Sequence, residues 1–111
     1  MFVYHLSHKS NRDSILKKGL LLNEYRGTYI NYEPRLFVTT TVDVYAFYFI
    51  YNFENIDIWK FDIDEKELIK DGFSESEYHF YIKKPIKSKN IKLWKKNTSI
   101  EKMDKLLKGK L

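Results

Sequence analysis

Cysteine is absent from this chain of 111 residues, which excludes a disulfide framework and any zinc site built on thiolates. Histidine is scarce. His5, His8 and His79 are the only three, too few and too scattered for a His-rich metal centre. No run approaches the roughly 20 apolar residues that a membrane-spanning helix needs. The most apolar stretch, residues 42–51, reads as a core helix. Met1 leads into a strand-like run, without the basic and apolar regions of a secretion signal, so the cytoplasm is the expected compartment. In that setting Asn97-Thr98-Ser99, which fits a glycosylation pattern, carries no weight. Internal repeats and low-complexity linkers are also missing.

What is present is aromatic and basic. Apolar residues make up 43% of the chain and aromatics 17%, with nine Tyr and eight Phe. That is enough for one domain, residues 1–111, with a real core. Some rings must pack inside, and others are free to line a pocket for a flat ligand. The net charge of +5 is unevenly spread: residues 82–111 hold eleven Lys against Glu101 and Asp104, or +9, which leaves −4 for the rest. Such a Lys-rich C-terminal part suits nucleic acid or an acidic protein. It also suits a merely solvated surface, and the all-Lys composition favours that reading, because Arg dominates specific phosphate recognition.

The pattern of elements is α+β. Phe2 to Leu6 reads as a strand. Ser10 or Asn11 caps a helix over Arg12 to Lys18, and Gly19 stops it. Leu20 to Pro34 reads as a loop, Leu36 to Thr40 as a second strand, and a buried helix starts at Thr41 or Asp43 and runs to about Tyr51. Ile56 to Ile63 alternates as a third strand. Asp64 to Lys70 offers a helical turn or two, and Asp71-Gly72 a chain reversal. Glu77 to Lys83 and Ile91 to Trp94 read as late strands. Thr98-Ser99-Ile100-Glu101 matches a capping box that opens a last helix. Trp59 and Trp94 are expected to pack on the core, and His8 and His79 to be structural or surface residues.

Three segments carry candidate chemistry. The first is Tyr4-His5-Leu6-Ser7, with Ile15 ten positions after His5 and Gly19-Leu20 closing the segment. The second is Arg35-Leu36-Phe37-Val38-Thr39-Thr40-Thr41, with Tyr48 eleven positions after Phe37. The third is Glu75-Ser76-Glu77-Tyr78-His79-Phe80-Tyr81-Ile82. Singly, each has a bland reading: a structural His, two core aromatics, a solvated strand-end charge. Their joint order resembles the His, aromatic and Glu motifs of ADP-ribosyltransferases, over roughly residues 2–94. The toxin and poly-ADP-ribose polymerase branches are the most similar.

The resemblance implies a compact split β-sheet core with two to three short helices, and NAD as a substrate with no metal. It implies that His5 bonds the adenosine-side ribose, that Ser7 bonds the same sugar or fixes the loop, and that the Leu6 backbone meets the nicotinamide amide. Phe37 and Tyr48 would sandwich the cationic ring, an arrangement worth on the order of 1–3 kcal/mol per aromatic. Thr39 belongs to the small polar run of the same cofactor-binding segment, and Arg26 is the candidate diphosphate contact. Glu77 would be the catalytic carboxylate, supporting an oxocarbenium-like transition state. Glu75-Ser76-Glu77 also resembles the paired-Glu motif of arginine-modifying members, in which Glu75 would bind the acceptor. The family commonly has Gly where Leu6 stands and Tyr where Phe37 stands. The implied activity is mono-ADP-ribosylation of a macromolecule, protein or nucleic acid, inside the cell, as by a bacterial or phage effector. The alternative is an inactive domain of this fold that binds nucleic acid or an acidic protein through its basic surface. A related branch that moves a 2′-phosphate from RNA to NAD needs further His and Arg around His5, and they are absent.

Overall fold

A computed structural model describes residues 1–22, 34–43, 47, 54–72 and 77–102. Six antiparallel strands form one sheet: β1 (Phe2–His8), β2 (Leu36–Thr39), β3 (Ile56–Asp62), β4 (Ile69–Lys70), β5 (His79–Ile82) and β6 (Ile91–Thr98), in the order β4-β5-β2-β1-β3-β6. The described elements also include helix α1 (Arg12–Lys18) and three short 3-10 turns, and the domain is α+β. No helix among the described residues is long and apolar enough to cross a membrane.

The joints in this sheet are unequal. β1 and β3 pair along their whole length, from Phe2↔Asp62 to His8↔Ile56. β2 and β5 pair from Leu36↔Ile82 to Thr39↔His79. β1 meets β2 at one register pair, Tyr4↔Thr39. The six strands therefore fall into two halves, β4-β5-β2 and β1-β3-β6, joined at a seam.

Both faces of the sheet are covered over most of β3, which is therefore buried almost residue by residue. Strand alternation sends Val3, Leu36, Val38, Trp59, Phe61 and Ile82 to one face, where Ile15, Leu20 and Ile86 pack on them. It sends Leu6, Ile56 and Ile58 to the other, under Val42 and Phe47. Trp94, expected in the core, is not there: β6 is an outer strand, and Trp94 remains 38% exposed beside Tyr4.

Helix α1 matches the bounds read from the sequence, and Ile15 is its buried residue. Asn11 occupies its N-cap position without a side-chain cap bond. The stop at Gly19 is strict. Its φ is +81°, and an added Cβ would lie 2.1 Å from the Ile86 carbonyl oxygen, the bridge that ties Leu20 to Ile86. Gly19→Ala is expected to cost more than about 1 kcal/mol, through backbone strain and loss of that bridge. An unchanged urea midpoint would contradict this.

Beyond α1, two boundaries moved. β6 runs on to Thr98, so the last helix is capped one residue later than the motif suggested. Ser99 Oγ accepts from the Lys102 amide at 3.2 Å. Asp64 to Lys70 became a 3-10 turn, Glu65–Glu67, followed by the two residues of β4.

Candidate functional site

The three segments singled out above, distant in sequence, lie on neighbouring strands: β1 carries His5, β2 carries Phe37 and Thr39, and β5 follows Glu77. Tyr4, Thr39 and His79 form one row across β1, β2 and β5. His5 follows that row on one side and Glu77 precedes it by two residues on the other. At the usual interstrand spacing, the row spans about 10 Å.

His5 sits at the seam. Its Nδ1 lies 2.7 Å from the Phe37 carbonyl oxygen, across from β1 to β2. A carbonyl only accepts, so Nδ1 carries the hydrogen, and the neutral ring presents Nε2 as an acceptor. Burial pushes the imidazole below its ordinary value of 6.5, against the smaller raising effect of the Phe37 carbonyl. The neutral form is therefore the folded form at neutral pH.

This shift has a signed consequence. Between the depressed folded value and 6.5, the unfolded chain binds the His5 proton and the folded chain does not. The contribution of neutral His5 to stability is complete above 6.5 and is lost as pH falls through the folded value. His5→Gln keeps a donor for the Phe37 carbonyl but does not titrate. Its melting temperature is expected to fall less than the wild-type value on acidification from pH 7 to 5. Superimposable profiles would contradict the placement of His5.

The neighbours of His5 are anchored. The Leu6 side chain is buried in the second core with Val42, Phe47, Ile56 and Ile58. Ser7 is 6% exposed, and its Oγ accepts from Trp59 Nε1 at 2.9 Å. That bond fixes β1 against β3. The Phe37 ring meets Tyr81 edge-on, with centroids 6.4 Å apart. The Arg35 guanidinium lies 4.2 Å over the Tyr81 ring.

Glu77 is exposed, in the turn that leads into β5, rather than inside the strand as the sequence suggested. Threonines hold this turn. The Tyr78 carbonyl accepts from the Thr40 amide at 2.9 Å and the Thr39 hydroxyl at 3.2 Å. Thr39 Oγ1 also donates to the Thr41 carbonyl at 2.6 Å. The hydrogen bond and charge of the Glu77 carboxylate hold the Tyr78 phenol above its ordinary value, with burial and the Asp43 charge adding to the effect. Glu77 lines a cleft of about 350 Å³ with Met1, Thr40, Glu65, Leu68 and Phe80. His5, Leu6, Ser7 and Phe37 are not among its described walls. Arg26, Tyr48 and Glu75 lie outside the described residues.

Several groups near the turn had no sequence signal. His79 is 4% exposed, with Nε2 3.5 Å from Asp43 Oδ1, so it belongs to the interior beside the Glu77 turn. Tyr78 follows Glu77 directly, and only the turn geometry makes the pair meet. Among the described residues, no group of three or more His, Asp or Glu side chains is placed to hold a metal ion. No family model, no curated protein and no solved structure matches this chain.

Proposed function

We propose that this domain is an NAD-dependent mono-ADP-ribosyltransferase, with its site along the seam between β1 and β2 and the Glu77 turn. The observation that carries the reading is the adjacency of the three motif strands. Nothing in their sequence separation requires β1, β2 and β5 to be neighbours, yet they are. The weak joint between β1 and β2 agrees with the split core that the resemblance implies.

The residues fit NAD by their chemistry. A neutral His5 with Nε2 as acceptor suits a ribose hydroxyl, which donates. Phe37 and Tyr81 supply an edge-on aromatic pair on the neighbouring strands β2 and β5, suited to a flat cationic ring. Glu77 supplies the negative charge that stabilises an oxocarbenium-like ribose. In this reading the glycosidic C–N bond breaks and its electron pair leaves with nicotinamide, which becomes neutral. The acceptor nucleophile then bonds to the ribose carbon and releases its proton.

The test is incubation of the protein with labelled NAD and a bacterial lysate, followed by measurement of nicotinamide release and label transfer. Label on a macromolecule, removed by either protease or nuclease, is the expected result and defines the acceptor class. Neither release nor label from folded protein would overturn the assignment.

A further inference from the structure

The apolar cover on the Leu6 face of the sheet ends at Tyr4. Leu6, Ile56 and Ile58 lie under Val42 and Phe47, and Tyr4 and Ile100 pack at the margin of that cluster. Beyond the margin the same face of β1-β3-β6 carries exposed rings among the described residues. Phe2 is 57% exposed there, and Trp94 is 38% exposed.

Strand register places cations between these rings. Tyr4 pairs with Lys60, and Lys60 pairs with Lys92, so the three share one face. The Lys60 ammonium lies 4.5 Å from the Phe2 ring centroid and 5.9 Å from that of Tyr4. The register of β3 against β6 shifts between Ile58 and Trp59, so β6 carries an extra residue at Trp94. A bulge of this kind re-aims side chains. It sets the Trp94 ring 4.8 Å from Tyr4 and the Lys95 ammonium 5.1 Å over Trp94. The acid that β3 places on this face, Asp62, is paired at 2.7 Å with the Met1 ammonium. The patch is therefore aromatic and positive, with its nearest carboxylate already engaged.

We propose that the face formed by Phe2, Tyr4, Lys60, Lys92, Trp94 and Lys95 binds single-stranded nucleic acid, its bases stacked on the rings and its phosphates on the lysines. Flat rings alternating with cations match a ligand whose flat bases alternate with anions. A duplex hides its base faces and offers only its phosphates. An acidic peptide would use the lysines and leave Phe2 and Trp94 without partners. The proposal rests on residues that the NAD reading does not use, so the two are tested separately.

The test is fluorescence anisotropy of a labelled single-stranded oligothymidylate, with a duplex, heparin and polyglutamate as competitors. Binding is expected with a slope of log affinity against log salt of about −2, from three phosphate contacts on a single strand. Trp94→Ala and Phe2→Ala are expected to weaken it by about 5- to 150-fold each, the range found when a base loses its aromatic partner. Phe2 is the more exposed of the two, so its variant keeps the test valid if Trp94→Ala unfolds. No binding at low salt would overturn the proposal. So would an unchanged affinity in the folded variants, or equal competition by duplex, heparin or polyglutamate.

Discussion

Replacing Glu77 with Gln is expected to lower nicotinamide release from NAD by about 10²–10³-fold, the usual effect of removing a group aimed at transition-state charge. The substitution keeps the size and one acceptor oxygen and removes the negative charge. That charge matters most as the C–N bond breaks, so kcat should fall far more than KM rises. The fold should survive, because Glu77 is exposed and its turn is held by Thr39 and Thr40 through the Tyr78 carbonyl. A second readout separates placement from catalysis. Glu77 is the main cause of the raised Tyr78 phenol value, so alkaline absorbance titration of the variant should show that value moving down. Full turnover in the variant would mean that another group supplies the charge.

The largest stability effect is expected at Arg12. Its side chain is 20% exposed and grips Asp57, which is fully buried, through two hydrogen bonds of 2.8 Å. Arg12 also donates to Asn97 Oδ1 at 2.7 Å, and the Asn97 amide donates to Asp57 at 3.1 Å. Asn97 reaches that position with φ of +51° at the end of the irregular β6. Removing the cation leaves the buried Asp57 charge uncompensated, so Arg12→Met is expected to lower the melting temperature by on the order of 10 °C. The double variant Arg12→Met with Asp57→Leu should recover much of the loss, since apolar replacement of a whole buried pair is often neutral.

Acid is expected to narrow this effect, because the two proteins respond to it with opposite signs. In the wild type, burial pushes the Asp57 carboxyl up, but the Arg12 bonds, the Asn97 amide and the Arg12 and Lys96 charges together hold it below its ordinary value of 3.8. The stability it contributes is complete above 3.8 and is lost as pH falls through the folded value. Without Arg12, burial dominates and the folded value rises. The folded state then binds the extra proton, so the single variant should gain stability as pH falls towards 3.8. Parallel pH profiles for the two proteins would contradict a buried, Arg-dependent Asp57.

How much of this was legible in the sequence varied with the range of the interaction. Local signals read well. The bounds of α1 and the stop at Gly19 follow from capping and the Lys-Lys-Gly ending, and the Ile56 strand from its apolar spacing. The α+β class followed from element order. Long-range effects did not read. In alternation Asp57 looks like a solvent-facing residue, because its partner, Arg12, stands 45 residues earlier. Trp94 looks like core because hydrophobicity does not report that β6 is an outer strand with a bulge. At the candidate site, the identities of His5, Phe37 and Glu77 came from motif order. The Nδ1 bond of His5 and the threonine clamp on the Glu77 turn are tertiary contacts, and no short-range pattern encodes them.

The most direct test of the seam as the NAD site is a nuclear magnetic resonance titration of the folded protein with NAD, following the His5 ring nitrogens and backbone amides. The account predicts that His5 Nε2 shifts as it accepts a ribose hydroxyl, while Nδ1 keeps its hydrogen. It also predicts changes at the amides of Leu6, Ser7, Phe37 and Thr39. Unchanged His5 signals at saturating NAD, or changes confined to other parts of the sheet, would contradict it.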